Sequence, residues 1–209
     1  MKLAITGGSR EADVLEVAAN KAGIEVDPAG KLAVIAAHPF DQDLWECAAL
    51  SAAHKPHIGL ARPCWKPEDS DNWQYAQNAA QAAEMLGQSG AKRALLAVGN
   101  GRLTPFYQLP DIELCVRSRN APHPPMPPRG KISAIRGPFD VESEVAELKQ
   151  NGIDILVVHN AGGQGGWPKL GAARALGIKV ILIERPKLPE MEIVETVEAA
   201  LAWALRRGA

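Results

Sequence analysis

Short runs of aliphatic and β-branched residues alternate along this chain with longer stretches rich in alanine, glutamate and glutamine. This alternation is typical of βαβ units, in which parallel strands form a sheet and the intervening helices cover its faces. The sequence therefore predicts an α/β fold. The predicted strands are residues 2–6, 32–36, 57–61, 94–98, 112–116, 132–135, 155–158 and 180–183. The predicted helices are residues 11–21, 41–53, 73–86, 142–150, 169–176 and 190–207.

The last helix is predicted from a regular apolar spacing. Its residues Ile193, Val197, Leu201 and Leu205 recur every four positions, which places them on one face of a helix. We expect this face to pack against the core.

Composition and charge argue against several classes of protein. The 209 residues carry 23 basic and 24 acidic side chains, a balance without the net positive charge that favours nucleic acid. The apolar runs are shorter than the roughly 18 residues of a membrane span, and the N-terminal run is too short for a signal peptide. The three cysteines, Cys47, Cys64 and Cys115, form no Cys-x-x-Cys pair. We expect a cytoplasmic protein with free thiols, without a metal site, and with neither nucleic acid nor membrane as partner.

The chain divides into two halves in this interpretation. A polar Gly-Gln-Ser-Gly segment precedes the strand at residue 94, which predicts domains at residues 1–92 and 93–209. Each half contains a strand, a loop, a helix and a second strand followed by Arg-Pro, at Arg62-Pro63 and at Arg185-Pro186. The alternative is that any two βαβ units look alike.

Ligands of parallel sheets bind at the carboxyl ends of the strands, where helix N-termini point outward. The first strand is followed by Gly7, Gly8, Ser9 and Arg10, so small residues would let a phosphate approach the backbone. We predict a ligand site here, in which Ser9 caps the helix or binds the phosphate. The alternative is a tight strand-to-helix turn without a ligand.

A second glycine-rich loop follows the strand at residues 155–158. Four glycines stand between Asn160 and Lys169, which destabilises a fold unless the backbone must move or approach a ligand. Lys169 near a helix N-terminus opposes the helix dipole, so an anion nearby would explain it. The predicted cofactor-binding residues of this loop are Asn160, Gly162, Gly163 and Gly165.

Cationic and aromatic side chains also follow the strands. Guanidinium and ammonium groups bind carboxylates, and an indole in a loop can stack on a flat conjugated ligand. The predicted substrate-binding residues are Arg62, Trp65, Arg102, Arg136, Trp167, Lys169 and Arg185. Surface ion pairs and ordinary packing are the alternatives for each of them.

Histidines follow two of the predicted strands. His38 and His159 could donate a proton near neutral pH, and His38 is the predicted catalytic residue. The spacing shows no catalytic triad or carboxylate pair, which argues against a hydrolase.

The ordered motifs resemble those of the precorrin-6A reductase family over nearly the whole chain. The most specific segments are Arg136-Gly137-Pro138-Phe139 and the stretch from Asn160 to Arg174 that is followed by Arg185-Pro186. The resemblance implies an NADPH-dependent oxidoreductase of cobalamin biosynthesis that reduces a double bond of precorrin-6A to give precorrin-6B. With this cofactor, Gly7, Gly8, Ser9 and Arg10 are expected to bind NADPH, with Arg10 beside the 2′-phosphate. It also implies two small Rossmann-like domains with mainly parallel sheets, a tetrapyrrole substrate, and contact with neighbouring pathway enzymes.

The first half departs from the family pattern. Members of the family carry a further glycine-rich βα unit before the His-Pro-Phe segment, whereas here only residues 23–31 separate the first helix from the next strand. Two alternative functions therefore remain open. One is a tetrapyrrole-binding protein without reductase activity, and the other is a nucleotide-binding regulatory domain.

Overall fold

The computed structural model describes residues 1–99, 102–118, 125–134, 137 and 139–208. The strands are β1 Lys2–Thr6, β2 Glu25–Val26, β3 Leu32–Ile35, β4 His57–Leu60, β5 Trp73–Ala76, β6 Arg93–Ala97, β7 Glu113–Ser118, β8 Gly130–Ala134, β9 Ile155–His159, β10 Lys179–Ile183 and β11 Ile193–Val194. The helices are α1 Arg10–Lys21, α2 Gln42–Ala52, α3 Ala79–Gln88, α4 Val141–Gln150, α5 Trp167–Leu176 and α6 Val197–Gly208, with a 3₁₀ helix at Thr104–Gln108.

The chain forms two compact units. Unit 1 consists of Met1–Pro63 and Pro186–Ala209, and unit 2 consists of Cys64–Arg185. The chain thus leaves unit 1 after the first Arg-Pro dipeptide and returns to it within the second. The α/β class, with two Rossmann-like parallel sheets, is confirmed.

The division predicted at residues 1–92 and 93–209 needs correction, because two edge strands join the sheet of the other half. Strand β5 pairs with β10 in unit 2, and β11 pairs with β4 in unit 1. Helix α6 then packs against α1 through Trp203 and Ala204. These pairings join segments that are far apart in sequence, so composition near residue 92 could not reveal them.

Two predicted helices begin too early. Residues 73–76 form β5, and helix α3 starts only after Asn78, whose side chain accepts a hydrogen bond from the Gln81 amide and caps it. Ile193 lies in β11 rather than in the last helix, and Leu205 is 45% exposed. The predicted core face is therefore correct for Val197 and Leu201, which are partly buried against the core, and wrong for Ile193 and Leu205. The fully buried residues of α6 are Ala200, Trp203 and Ala204. All eight predicted strands overlap strands of the structure.

The sheet of unit 1 has the strand order β11-β4-β3-β1-β2, with parallel pairing throughout. Strands β2 and β3 flank β1 on opposite sides, so residues 27–31 cross β1 without an intervening helix. The crossing is close: a Cβ on Gly30 would lie 2.5 Å from the Ala4 nitrogen. A glycine at this position thus allows the short link between β2 and β3.

The sheet of unit 2 has the order β5-β10-β9-β6-β7-β8 and is also parallel. From β6 the chain proceeds to β7 and β8 on one side, and then crosses to β9 on the other. The order in which successive strands are added to the sheet reverses between β6 and β9, and in unit 1 it reverses between β1 and β3. We call each of these places the reversal point of its sheet. Open parallel sheets bind ligands beyond the carboxyl ends of such strands.

Apolar side chains cover both faces of the first sheet. Leu3 and Val34 pack with Leu15 of α1 on one face, whereas Ala4 and Ile35 pack against the other core, which contains α2. Successive residues of a strand point to opposite faces, which explains why these strands are apolar without interruption. In unit 2, Leu156 and Val158 pack against α5 in the same manner.

Candidate functional site

The carboxyl ends of β1 and β3 meet through Ser9. This buried side chain caps α1 by accepting a hydrogen bond from the Ala12 amide at 3.2 Å, and it donates to the Ala36 carbonyl oxygen at 2.6 Å. Gly7 has a φ of 147°, and a side chain there would collide with Ala36. Gly8 has open space around it and Arg10 is exposed. The Ser9 hydroxyl thus holds two loops together, which supports the structural alternative for this residue.

Arg62 follows β4 and is ion-paired with Glu11 in the first turn of α1. Both side chains are largely buried, at 15% and 21% exposure. Glu11 and Asp13 place two carboxylates in the first turn of this helix, where a phosphate would otherwise bind. The sequence analysis missed Glu11 as the partner of Arg62, because the two residues lie 51 positions apart.

His38 lies half-buried beyond the end of β3. Its Nδ1 accepts a hydrogen bond from the Phe40 amide at 3.3 Å, and its carbonyl oxygen accepts one from the Trp45 indole at 3.1 Å. An acceptor at Nδ1 places the proton of a neutral imidazole on Nε2. His38 therefore presents an N–H donor at the carboxyl edge of the first sheet.

The glycine-rich loop at residues 160–166 follows β9 and leads into α5. Gly162 and Gly163 have φ values of 68° and 77°, which only glycine adopts readily. Helix α5 begins at Trp167 after the N-cap residue Gly166, which supplies no side-chain cap, and its first turn contains no acidic residue. The backbone and the positive end of this helix dipole are suited to an anion.

Side chains bind the carbonyl oxygens of this loop. Arg185 donates from Nε to the Asn160 oxygen and from Nη2 to the Ala161 oxygen, each at 2.9 Å. Lys169 donates to the Gly166 oxygen at 3.0 Å. Two residues predicted to bind substrate thus bind the loop itself.

Trp65 is joined to the same loop by three hydrogen bonds. Its amide donates to Oδ1 of Asn160 at 2.9 Å, and its carbonyl oxygen accepts from Nδ2 of Asn160 at 3.3 Å. The indole donates to the Gly163 oxygen at 3.0 Å. A Cβ on Gly166 would lie 2.6 Å from the Trp65 ring. The buried side chain of Asn160 therefore serves Trp65 rather than presenting itself to a cofactor.

Trp167 packs against two partners in unit 2. Its ring meets Trp73 edge to face, with centroids 6.5 Å apart, and the Arg174 guanidinium lies 5.0 Å from its centroid. Arg174 also binds both carboxylate oxygens of Asp71 at 3.0 Å and a Glu68 oxygen at 2.8 Å. Sequence reasoning noted Arg174 only as part of a motif and missed Asp71.

The remaining predicted cations lie near the end of β6 or outside the described residues. Arg102 is exposed, and its amide donates to the Gly99 carbonyl oxygen at 3.4 Å. Arg136 lies outside the described residues. Arg102 thus follows β6 at the reversal point of the second sheet, across which the loop at residues 160–166 follows β9.

The predicted residues accordingly form two groups, one in each unit. Unit 1 brings together Gly7, Ser9 and Arg62 with His38 at the carboxyl edge of its sheet. The larger group surrounds the glycine-rich loop of unit 2 and comprises Trp65, Asn160, Gly162, Gly163, Gly165, Trp167, Lys169 and Arg185. Of the two, the unit 2 loop has the features of a phosphate site: glycine backbone with positive φ, a helix N-terminus and a first turn without an acidic residue.

Two further observations concern metal ions and membranes. Over the described ranges, no cluster of three or more His, Cys, Asp or Glu side chains is arranged to hold a metal ion. In the same part of the chain, no helix combines the length and apolar character needed to cross a bilayer. The three cysteines are free thiols.

The chain matches known proteins over most of its length. The model of the family described as precorrin-6x reductase CbiJ/CobK matches residues 4–205. Precorrin-6A reductase from Rhodococcus erythropolis is 40% identical over 174 residues, which cover 81% of this chain and 69% of the relative. The enzyme of the same name from Rhodobacter capsulatus is 34% identical over 178 residues, covering 83% and 70%.

A solved structure agrees with the fold as well. The structure described as CobK precorrin-6A reductase superimposes with a TM-score of 0.90 at 29% identity, covering 100% of this chain and 98% of that one. The motifs at the strand ends, the order of the strands and the extent of these matches lead to one conclusion: the chain belongs to the precorrin-6x reductase family.

Proposed function

We propose that this chain is a precorrin-6A reductase that uses NADPH to reduce one double bond of the macrocycle, giving precorrin-6B in cobalamin biosynthesis. Family membership supports the reaction class. The observation that carries the cofactor assignment is the glycine-rich loop at the reversal point of the second sheet, where Gly162 and Gly163 have positive φ and lead into the acid-free N-terminus of α5.

The residues of this loop fit a dinucleotide phosphate. The backbone of Gly162, Gly163 and Gly165 would approach the phosphate closely, and the dipole of α5 would stabilise its charge. Lys169 contributes a further positive charge beside Gly166. The corresponding turn in unit 1 is less suitable, because Glu11 and Asp13 occupy the first turn of α1.

Hydride chemistry needs no protein nucleophile, which agrees with the lack of a catalytic triad in the sequence. When bound, the reduced nicotinamide supplies a hydride to one carbon of the double bond. The adjacent carbon takes a proton, so the product is two hydrogens heavier than the substrate. His38 is the proposed proton donor, because it lies beyond the end of β3 at the carboxyl edge of the first sheet and the imidazolium form of a histidine can give up a proton and return to neutral imidazole.

The carboxylates of the macrocycle require cationic side chains for binding. Arg62 is ion-paired with Glu11, and Arg185 donates to the carbonyl oxygens of the loop. Arg102 is the proposed substrate contact of the described residues, because it is exposed and follows β6 at the reversal point of the second sheet, and Arg136 retains this role as a prediction from the sequence. The proposed reaction takes place in the cytoplasm, where the three free thiols would stay reduced.

The decisive experiment is incubation of the protein with precorrin-6A and NADPH. We expect loss of NADPH absorbance and a product two hydrogens heavier by mass spectrometry. A spectral change of the macrocycle without NADPH oxidation would instead indicate a tetrapyrrole-binding protein. Tight binding of ATP or FMN without any binding of NADPH would indicate a nucleotide-binding regulatory domain and would contradict the reductase proposal.

A further inference from the structure

Residues 64–72 form a connector without regular secondary structure, attached at two points to the elements around the glycine-rich loop. Near its start, Trp65 makes hydrogen bonds to Asn160 and Gly163. Near its end, Asp71 is bound by Arg174 in the last turn of α5. The connector is therefore fixed to the loop that precedes α5 and to the far end of the same helix.

The glycine-rich loop has a large conformational entropy to lose on folding, so contacts from outside it are needed to hold one conformation. Glycine loses more conformational freedom on folding than any other residue, and four of the seven residues at 160–166 are glycine. Besides its backbone–backbone bonds, the loop has carbonyl oxygens that accept hydrogen bonds from side chains on other segments and on α5. The indole of Trp65 donates to the Gly163 oxygen. Gly163 and its neighbour Gly162 are the residues of the loop with positive φ given above.

The Asn160 side chain acts as the joint between the connector and the loop. Its amide pairs with both backbone groups of Trp65, as a neighbouring strand would, and its backbone oxygen is held by Arg185. Asn160 is only 6% exposed. Trp65 then fills the space beside Gly166, where a Cβ would lie 2.6 Å from its ring.

The second attachment of the connector is a two-point ion pair between Arg174 and Asp71. Arg174 meets the two oxygens of Asp71 in the bidentate geometry that guanidinium and carboxylate favour. The side chain of Asp71 is fully buried, whereas that of Glu68 is 65% exposed. Arg174 also lies over Trp167, so its own position is fixed by the first residue of α5.

From this geometry we propose that Trp65 and Asn160 are positioning residues that fix the glycine-rich loop for a dinucleotide phosphate, and that Arg174 anchors the connector that carries Trp65. The role in cofactor binding rests on the proposed function. The role in fixing the loop does not, because the hydrogen bonds are present within unit 2 itself. Trp65 acts here through the backbone of the loop and not by stacking on a substrate.

The principal test replaces Trp65 by phenylalanine in the full chain. Trp65→Phe keeps an aromatic ring and the backbone bonds to Asn160, but removes the indole donor to Gly163. We expect the Kd for NADPH to rise about three- to tenfold, as for loss of one hydrogen bond. We also expect faster amide hydrogen exchange in residues 160–166 of the ligand-free protein.

Trp73→Phe is the matched control. Trp73 belongs to the same aromatic cluster, but its buried indole nitrogen has no hydrogen-bond partner among the described residues. This substitution should leave loop exchange and NADPH affinity near the wild-type values. A Trp73→Phe variant with effects as large as those of Trp65→Phe would show that aromatic packing, and not the Gly163 bond, fixes the loop.

A second pair of variants tests the hydrogen bonds of Asn160 to Trp65 and of Arg174 to Asp71. Asn160→Asp keeps the acceptor for the Trp65 amide and loses the donor, whereas Arg174→Lys cannot bind both oxygens of Asp71 at once. Both should accelerate exchange in residues 160–166. Wild-type exchange rates and NADPH affinity in Trp65→Phe would overturn the proposal. If the wild-type protein bound no NADPH and Trp65→Phe still accelerated loop exchange, the cofactor assignment would fail and the positioning role would stand.

Discussion

The hydroxyl of Ser9 donates a hydrogen bond to the carbonyl oxygen of Ala36 at 2.6 Å, and so joins the two loops at the reversal point of the first sheet. Oγ of Ser9 also caps α1 by accepting a hydrogen bond from the Ala12 amide. Both hydrogen bonds of the Ser9 hydroxyl are made within the protein. Ser9, which the sequence predicts to bind a phosphate, therefore stabilises the local structure. This relationship makes stability, and not cofactor affinity, the property to measure first.

Ser9→Ala should lower the free energy of unfolding by about 1–2 kcal/mol, because it removes a helix cap and leaves the Ala36 oxygen without this donor. Urea unfolding followed by circular dichroism measures the change. Ser9→Thr, which keeps the hydroxyl, is the matched control. Unchanged stability together with a large loss of NADPH affinity would return Ser9 to the role of a phosphate ligand.

Gly30→Ala should destabilise the protein by more than about 2 kcal/mol, because a Cβ there would lie 2.5 Å from the Ala4 nitrogen. The backbone of β1 is hydrogen-bonded on both sides, so moving it away would disrupt the sheet. Gly8→Ala serves as the control, since a Cβ at that position meets no atom within 4 Å. Thermal unfolding of both variants provides the comparison. Equal melting temperatures would contradict the close crossing of β1 by residues 27–31.

Glu144→Gln should cost about 3 kcal/mol of stability, because it leaves the buried Arg117 with a reduced set of charged partners. Arg117 donates to both oxygens of Glu144 at 2.7 Å, and the Glu144 side chain is 1% exposed. Glu142→Gln on the same helix is exposed and should change stability far less. Chemical unfolding of the two variants measures the difference, and similar losses would refute a special role for the buried pair.

Acid should weaken the attachment of residues 64–72 to α5, because it protonates the Asp71 carboxylate that Arg174 binds. Burial alone would raise the pKa of this carboxyl, but hydrogen bonds from Arg174 and from the Glu68 amide outweigh it and lower the pKa. A carboxyl whose pKa is lower in the folded than in the unfolded protein stabilises the fold above its ordinary pKa. That stabilisation is lost as the pH falls through the lowered value.

The stability difference between wild type and Asp71→Asn should therefore be largest near neutral pH and shrink as the pH falls below the ordinary aspartate value of 3.8. Urea unfolding at a series of pH values measures it. Asp69→Asn, an exposed carboxylate in the same connector, controls for general charge effects. A difference that stays constant with pH would show that the Asp71 charge contributes nothing.

The sequence expectation that Arg10 meets the 2′-phosphate predicts that Arg10→Ala reduces the preference for NADPH over NADH. The proposed placement of the phosphates at the unit 2 loop predicts an unchanged preference. Lys21→Ala, at the other end of α1, is the control. The measurement is the ratio of the two Kd values in each variant. An unchanged ratio in Arg10→Ala would remove Arg10 from the cofactor site and agree with placement of the phosphates at the unit 2 loop.

The sequence alone determined the α/β class, eight of the eleven strands of the described residues, and the loops that carry the candidate site. Alternating apolar runs and helix-forming stretches specify βαβ units locally, and glycine at residues 162 and 163 marks a backbone that other residues adopt with difficulty. These features depend on near neighbours, so they can be read without coordinates.

Only the tertiary structure decided which sheet each edge strand joins and which partner each polar side chain takes. Strand β5 lies beside β10, more than a hundred residues later in the chain, and Trp65 bonds to Asn160 across 95 positions. The predicted ligands Arg62, Asn160 and Arg185 proved to be held by Glu11, Trp65 and the loop carbonyls. Hydrogen bonds depend on distance in space, and that distance is set by the packing of the whole unit.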